Sequence, residues 1–436
     1  MKKKRLLLIG GNFSPEPTGI GKYNGEMIAW LAAHGYECSV ITTYPYYPQW
    51  KVEGAYAKKA WWYTKENVTA EKGATITVYR CPHYVPKNPT GLRRILSDAS
   101  FFLSALVRLM PLLSGKKYDM VLSVVPAFHM GLLGVLYRKV RGAMFLYHIQ
   151  DLQIEAAQQL GMIPSKTIIK LLYKTEALIL RQADHVSTIS EGMLKKVEQK
   201  CAKKVHLFPN WVDTTLFYPL ENTASVKAEY GFLPTDKIVL YSGAIGEKQG
   251  LEAVLHAAKA LEQQPVKFVI CGSGPYKEKL LNLKTGLALE NVTFLPLQPF
   301  EKLNAFLNMA DVHLVLQKAD AADLVMPSKL TTILAIGGLA LVTAQKATTL
   351  YTVVTANNMG IIIEPENQEA LSTAIVDAVF SSNEKRKENA RAYAKQSIAI
   401  DGIFNRFLAE VDQTMEHHHA KIKTSKPAVY SRETAV

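Results

Sequence analysis

Ile238-Val239-Leu240-Tyr241-Ser242-Gly243-Ala244-Ile245-Gly246-Glu247-Lys248-Gln249-Gly250-Leu251 is the stretch that decides the fold. Its four leading residues form an apolar run of strand length, and the glycines turn the chain into a segment of helical pattern. Such a turn lets backbone N–H groups and a helix N-terminus approach an anion, and Lys248 adds a positive charge suited to a diphosphate. The glycines expected to come close to the ligand are Gly243 and Gly246. After the next apolar run the device recurs as Cys271-Gly272-Ser273-Gly274-Pro275, with the proline placed to start a helix. Gly272 and Gly274 join the candidate diphosphate-binding set.

The first half carries the same device. A run at residues 5–10 leads through Gly10-Gly11-Asn12-Phe13-Ser14-Pro15-Glu16-Pro17-Thr18-Gly19-Ile20-Gly21 into a helical pattern ended by Gly35. Gly19 and Gly21 open that helix toward an anion or a sugar hydroxyl, and a plain tight turn has the same composition. The loop does not match the G-x-G-x-x-G dinucleotide fingerprint, which argues against a nicotinamide site.

Strand-like runs alternate with helical patterns along the chain, at 5–10, 37–42, 74–79, 119–125, 143–147, 185–188 and 205–208, then at 238–241, 266–271, 292–295, 312–316, 340–343 and 360–363. Two such series predict an α/β protein with two Rossmann-like, doubly wound domains whose strand ends face a central cleft. At 436 residues, 48% of them hydrophobic, the chain is long enough for two cores. We place a first domain at 1–208, a linker at 209–222 and a second, phosphate-binding domain at 223–395. A C-terminal helix at 396–415 is expected to pack back on the first domain, ahead of a disordered basic tail at 416–436. His417-His418-His419 in that tail are read as solvated, with metal binding the alternative.

The 51 basic and 38 acidic residues give a net charge of +13, which suits an anionic partner or a solvated basic face. No nucleic-acid module accompanies the charge, so nucleic acid is not expected. Cys38, Cys81, Cys201 and Cys271 form no C-x-x-C pair, consistent with a reducing cytoplasm. The apolar run near the start is shorter than a signal-peptide core, so no export signal is expected. There is no Asp-x-Asp to clamp a metal–diphosphate, so no metal or other cofactor is expected.

Three stretches together carry a family resemblance: the linker Pro209-Asn210-Trp211-Val212-Asp213 with Phe217, the loop ending Lys248-Gln249-Gly250, and Gly272-Ser273-Gly274-Pro275. With these the chain resembles the retaining glycosyltransferases of family 4, of GT-B fold, from Leu6 to about Phe407. Residues 243–251 and Met326-Pro327-Ser328-Lys329-Leu330 suggest the subgroup that acts in colanic acid biosynthesis. The resemblance implies transfer of a hexose from a nucleotide-diphosphate sugar, with GDP-fucose the first expectation, to a polyprenyl-diphosphate-linked saccharide, with retention of configuration. It also exposes departures. Ala244 stands where the family has an arginine, and Lys329 is the candidate replacement. Thr332 stands where a ribose-binding glutamate is usual, and Asp323 is among the nearest carboxylates to the donor sugar.

In the first domain His148 and Asp151 follow a buried strand, where either can orient an acceptor hydroxyl or take its proton. A histidine satisfied within the core is the competing reading for His148. Glu155 and His129 complete the acceptor-side candidates. Residues 91–117 carry Arg93 and Arg94, then Phe101 and Phe102, then Lys116 and Lys117, around an apolar centre read as too short to span a bilayer. A core crossover helix has the same pattern, but Trp61-Trp62 beside Lys58 and Lys59 tilt the reading toward an anionic membrane surface. The expected location is therefore cytoplasmic, peripheral on the inner face of the plasma membrane. A nucleotide-sugar epimerase of the same architecture and a catalytically inactive binding subunit are the competing functions.

Overall fold

The computed structural model describes residues 3–16, 19–159, 165–319, 327–346 and 348–424. The chain divides into two compact units, one of residues 1–189, 193–208 and 406–436, the other of residues 190–192 and 209–405.

The first unit runs β1 (Arg5–Ile9), α1 (Gly19–Ala33), β2 (Glu37–Thr43), β3 (Thr64–Thr69), β4 (Thr75–Cys81), α2 (Gly91–Ser114) and β5 (Met120–Val125). It continues through α3 (Gly131–Arg141), β6 (Met144–Ile149), α4 (Gln153–Gln159), α5 (Lys166–Gln182), β7 (His185–Thr188), α6 (Glu191–Glu198) and β8 (Val205–Leu207). Its eight-stranded sheet has the order β3-β4-β2-β1-β5-β6-β7-β8. All neighbours are parallel except β3, which pairs antiparallel with β4. That strand lies between the strand-like runs at 37–42 and 74–79, where its exposed Lys-Glu-Asn composition gives no apolar run.

The second unit holds α7 (Ala224–Glu229), β9 (Lys237–Ser242), α8 (Glu252–Ala260), β10 (Val266–Cys271), α9 (Lys277–Gly286), β11 (Val292–Leu295) and α10 (Phe300–Asn308). Then follow β12 (Val312–Val315), α11 (Ser328–Ala335), β13 (Ala340–Thr343), α12 (Thr349–Ala356), β14 (Gly360–Ile363), α13 (Gln368–Phe380) and α14 (Glu384–Ser397). Six parallel strands take the order β11-β10-β9-β12-β13-β14. The central strands are apolar on both faces, as a sheet covered by crossover helices requires: Ile238, Val239 and Leu240 are buried, as are Leu6 to Ile9.

α15 (Ile400–Thr424) begins in the second unit, and its residues from Arg406 belong to the first. Phe407 stacks on Phe208 with ring centroids 4.1 Å apart, and Val411 is buried. The helix extends into the stretch read as a disordered tail from 416, and residues 425–436 lie outside the described residues.

In both sheets the order reverses beside the first strand. β2 and β5 flank β1, and β10 and β12 flank β9. At such a switch point the loops leaving the carboxyl ends of adjacent strands diverge and open a crevice for a ligand. The two glycine loops lie at these two points.

Helix α2 departs from its sequence reading. It is 24 residues long, and its mean hydropathy of 1.5 over the most apolar window is enough, by length and composition, to cross a membrane. Its apolar segment is therefore not too short. The helix packs on β2, β4 and α3 through Ser97, Phe101, Ser104, Ala105 and Leu109, which are buried. Phe101, expected to insert into a membrane, is 2% exposed and lies against the site of a Gly11 Cβ at 3.7 Å. A helix that rests one face on a sheet must turn its bulky aromatic of that face into the core.

Candidate active site

In the second unit, the loop after β9 and the loop after β10 are laid backbone to backbone. Gly243 N–H donates to the Cys271 carbonyl and Ile245 N–H to the Ser273 carbonyl, each at 2.9 Å. A Cβ on Gly272 would stand 1.9 Å from the Gly243 carbonyl oxygen, and one on Gly274 would stand 2.1 Å from that of Ile245. These two glycines are thus required by loop-on-loop packing. The Tyr241 hydroxyl donates to the Ala244 carbonyl at 2.6 Å and pins the same loop from below.

Behind Gly243 sits Lys329. Its Nζ is 3.8 Å from the centroid of the Tyr241 ring and would be 2.8 Å from a Cβ on Gly243. It is the second residue of α11, whose eight residues start after Pro327. Burial alone pushes its amine down to about 7, with no carboxylate among the described residues acting on it. A buried amine over an aromatic face, at a helix N-terminus and under a glycine loop, is stabilised by an anion placed at that loop. Lys248, the residue first expected to hold the diphosphate, is exposed on the short turn Glu247–Gln249, where its carbonyl accepts from Lys318 N–H at 2.8 Å. Gly246 N–H donates to Gln249 Oε1 at 3.0 Å within that turn. Thr332 is buried, and its hydroxyl donates to the Lys329 carbonyl at 2.9 Å, so it braces the helix turn that carries the lysine. Asp323 lies outside the described residues.

The first unit's loop is organised around a carboxylate. Glu16 is 3% exposed and accepts from Tyr46 and Tyr47 N–H at 3.0 Å and from Asn12 Nδ2 at 2.9 Å. A Cβ on Gly21 would fall 2.5 Å from its Oε2, so that glycine makes room for Glu16. Gly19 takes φ +59 at the start of α1. Arg80 closes the arrangement, donating to the Ser14 carbonyl at 2.6 Å and pairing with Glu66 at 2.7 Å. The polar groups of this loop are largely consumed internally.

Asp151 is exposed just past the end of β6. His148 requires a correction. It is 1% exposed, its Nδ1 lies 3.0 Å from Ser187 Oγ and its ring lies 5.0 Å from that of Phe208. Burial lowers its pKa to about 3, so it is a neutral core histidine that does not reach past the strand end. Glu155 is likewise engaged elsewhere, in an ion pair with Lys200 that also holds Glu176 at 3.1 Å.

His129 sits in the short turn Phe128–Met130, with Nε2 3.4 Å from the Asp98 carbonyl and its ring 5.6 Å from Phe102. Asp98 was not singled out in the sequence, where it is one charge inside an apolar helix. Burial raises its pKa to about 6, against a hydrogen bond from the Gln153 side chain and the charge of Arg94. It brings α2 and the start of α4 together beside His129.

The outer face of α2 is apolar. Leu92, Ile95, Leu96, Leu103, Val107 and Met110 are exposed, Leu103 by 62%, while Ser97 and Ser104 face inward. Trp61 and Trp62 are 82% and 74% exposed. The following Tyr63 ties them to this helix, its hydroxyl 3.0 Å from Ser104 Oγ. Arg93 and Arg94 are exposed at the first turn, Arg94 also lying 5.1 Å over the Trp50 ring.

Comparison with known proteins defines first the class. A sucrose-phosphate synthase from Thermosynechococcus elongatus superposes over 95% of this chain and 100% of its own, with a TM-score of 0.72 at 17% identity. Anabaena Alr3699/HepE in complex with UDP and glucose does so over 94% and 100%, with a TM-score of 0.66 at 14% identity. WaaG, a glycosyltransferase involved in lipopolysaccharide biosynthesis, covers 92% and 98% at a TM-score of 0.63 and 15% identity. The architecture is the GT-B fold.

The sequence then sets the family. Residues 18–211 match the Glycosyl transferase 4-like domain, and residues 223–397 match Glycosyl transferases group 1. The chain is 39% identical to WcaI of Escherichia coli (strain K12), described as a colanic acid biosynthesis glycosyl transferase, over 417 residues, 93% of this chain and 99% of that one. The chain belongs to the group 1, family 4-type glycosyltransferases, and it is a glycosyltransferase.

Proposed function

We propose that the second unit holds the diphosphate of a nucleotide sugar on Lys329 and the Gly243 loop, and that a hexose passes from it to a polyprenyl-diphosphate-linked saccharide in exopolysaccharide synthesis of colanic acid type. The observation that carries this reading is the buried Lys329 amine beneath a glycine loop at the sheet's switch point. With Ala244 in the family's arginine position, Lys329 supplies the inner cation and Lys248 an outer, solvated one. The bond from the sugar C1 to the leaving diphosphate oxygen breaks, and a bond from C1 to the acceptor oxygen forms on the same face. The acceptor proton passes to the departing phosphate, so configuration is retained without a metal. GDP-fucose is the first donor to try, because the named relative acts in colanic acid synthesis.

The acceptor side supports a membrane address. A helix with one face on a sheet and an outward stripe of leucine, isoleucine, valine and methionine, flanked by two exposed tryptophans and by Arg93 and Arg94, has the composition of an interfacial element. We place it on the anionic cytoplasmic face of the plasma membrane, where Asp151, Asp98 and His129 receive the saccharide.

Thermal-shift titration with UDP-, GDP- and dTDP-sugars tests the donor, since a ligand bound only by the folded state raises its midpoint. Stabilisation by none of them, together with no transfer to extracted lipid-linked saccharides, overturns the reading. Turnover of the donor with no acceptor present would mark an epimerase instead.

A further inference from the structure

The β8 edge of the first unit's sheet carries a group of side chains that the transfer reaction does not use. His185 opens β7 and His206 is the middle residue of β8. The register Ser187↔His206 puts both imidazoles on the face that α15 covers. Their rings stack at 4.2 Å between centroids with 20° between planes. From α15, Glu410 Oε2 reaches to 2.9 Å from His206 Nδ1, and Thr414 Oγ1, one turn later, lies 3.5 Å from His185 Nδ1. One donor atom from each of His185, His206 and Glu410 lies within 4.8 Å of the others.

We propose that His185, His206 and Glu410 form a site for a divalent cation of zinc type, which fastens the C-terminal helix to the edge of the first unit's sheet. Two imidazoles and one carboxylate are a donor set that borderline first-row cations prefer over calcium or magnesium. Both imidazoles ligate such a cation in their neutral form, through a ring-nitrogen lone pair. His185 is 1% exposed and its Nε2 has no hydrogen-bond partner, an orphaned buried donor or acceptor that a ligated ring would reconcile by choosing its tautomer. The other two groups lie at the surface, with side chains 15% and 37% exposed for His206 and Glu410, which gives an ion a path of entry and leaves a position for water. Nearly parallel rings cannot both point their lone pairs at one ion, so ligation turns His206, the ring on the terminal strand β8, about its side-chain bonds. Lys204 is the nearby cation that opposes the ion's charge.

None of these three residues takes part in the proposed transfer, so the inference stands or falls apart from that reaction. The test uses the full chain with His417, His418 and His419 changed to Ala, so that the tail cannot supply ligands. Titration with Co²⁺ is expected to develop a ligand-field absorption band that saturates at one equivalent and is displaced by Zn²⁺. His206→Ala and Glu410→Gln should each weaken binding by at least about tenfold, and Zn²⁺ should raise the melting midpoint of the parent but not of these variants. Glu410→Gln alters a partly exposed helix residue and serves as the reading if His206→Ala does not fold. No saturable band, or a band unchanged by both substitutions, overturns the site. A band present in the native chain and lost with the three tail histidines overturns it as well, because the ion is then held by the tail.

Discussion

The glycine loops after β1 and after β9 use the same sequence device at equivalent switch points, yet they enclose side chains of opposite charge. Under the first lies Glu16, satisfied by two backbone N–H groups and Asn12. Under the second lies Lys329, with no carboxylate among the described residues acting on it. An anionic ligand at the first loop would meet a buried carboxylate, and at the second it would meet a buried amine. The difference teaches that a glycine turn only opens space, and the charge brought beneath it decides what the space accepts.

The sharpest way to break the comparison is Lys329→Met, which keeps length and removes charge. Loss of a charge-assisted contact worth about 1.5–3 kcal/mol should weaken nucleotide-sugar binding by roughly ten- to 150-fold, read by calorimetry. Because a buried amine with no carboxylate partner among the described residues is costly in the empty protein, the melting midpoint should stay level or rise. An unchanged donor affinity would sink the assignment of Lys329.

Gly272→Ala comes next. The added methyl meets the Gly243 carbonyl, and overpacking of this kind should lower stability by about 1–3 kcal/mol in denaturant melts. A neutral result would mean that the two loops separate freely and do not form one unit.

A pH series sharpens the contrast further. With its folded pKa depressed to about 7, Lys329 takes up a proton when an anion binds. Donor affinity should therefore be greatest below pH 7 and fall as pH rises above it, and Lys329→Met should flatten that profile. The core histidines give a separate window. His148 and His185 are held near 3, below the ordinary histidine value of 6.5, so the unfolded chain binds more protons between those values. Stability should be fully present above about pH 6.5 and decline as pH falls below it, as followed by chemical denaturation at each pH.

Glu16→Gln is the mildest probe. It keeps the one oxygen that both backbone N–H groups use but replaces the oxygen that accepts from Asn12 Nδ2, and should cost about 1 kcal/mol of stability with no change in donor affinity. A drop in donor affinity comparable to that of Lys329→Met would erase the distinction between the loops.

The strand order of events along the chain was legible because parallel strands buried on both faces announce themselves as short apolar runs between glycines, as at 238–241 and 266–271. Edge strand β3 was not, since an exposed strand carries polar residues on both sides. Among the site candidates, Asp151 fell where its position past β6 implied, while His148 did not. Residues three apart at a strand end differ in whether the chain has left the sheet, and only the packing of Phe208 beside His148 settles it. Phe101 and Leu103 illustrate the same limit on one helix. Both are apolar, and the side on which the helix meets the sheet makes one core and leaves the other exposed.

By itself, then, the sequence determined two α/β domains, the places where their strands end in glycine turns, and the family to which the linker and loops belong. Those are local properties, set by periodicity and by backbone freedom at glycine. Tertiary structure alone decided what lies under each turn, because Lys329 reaches Gly243 across 86 positions of chain and Glu16 reaches Tyr46 across 30. Burial and the charge of a neighbour act through space, and no spacing along the chain encodes them.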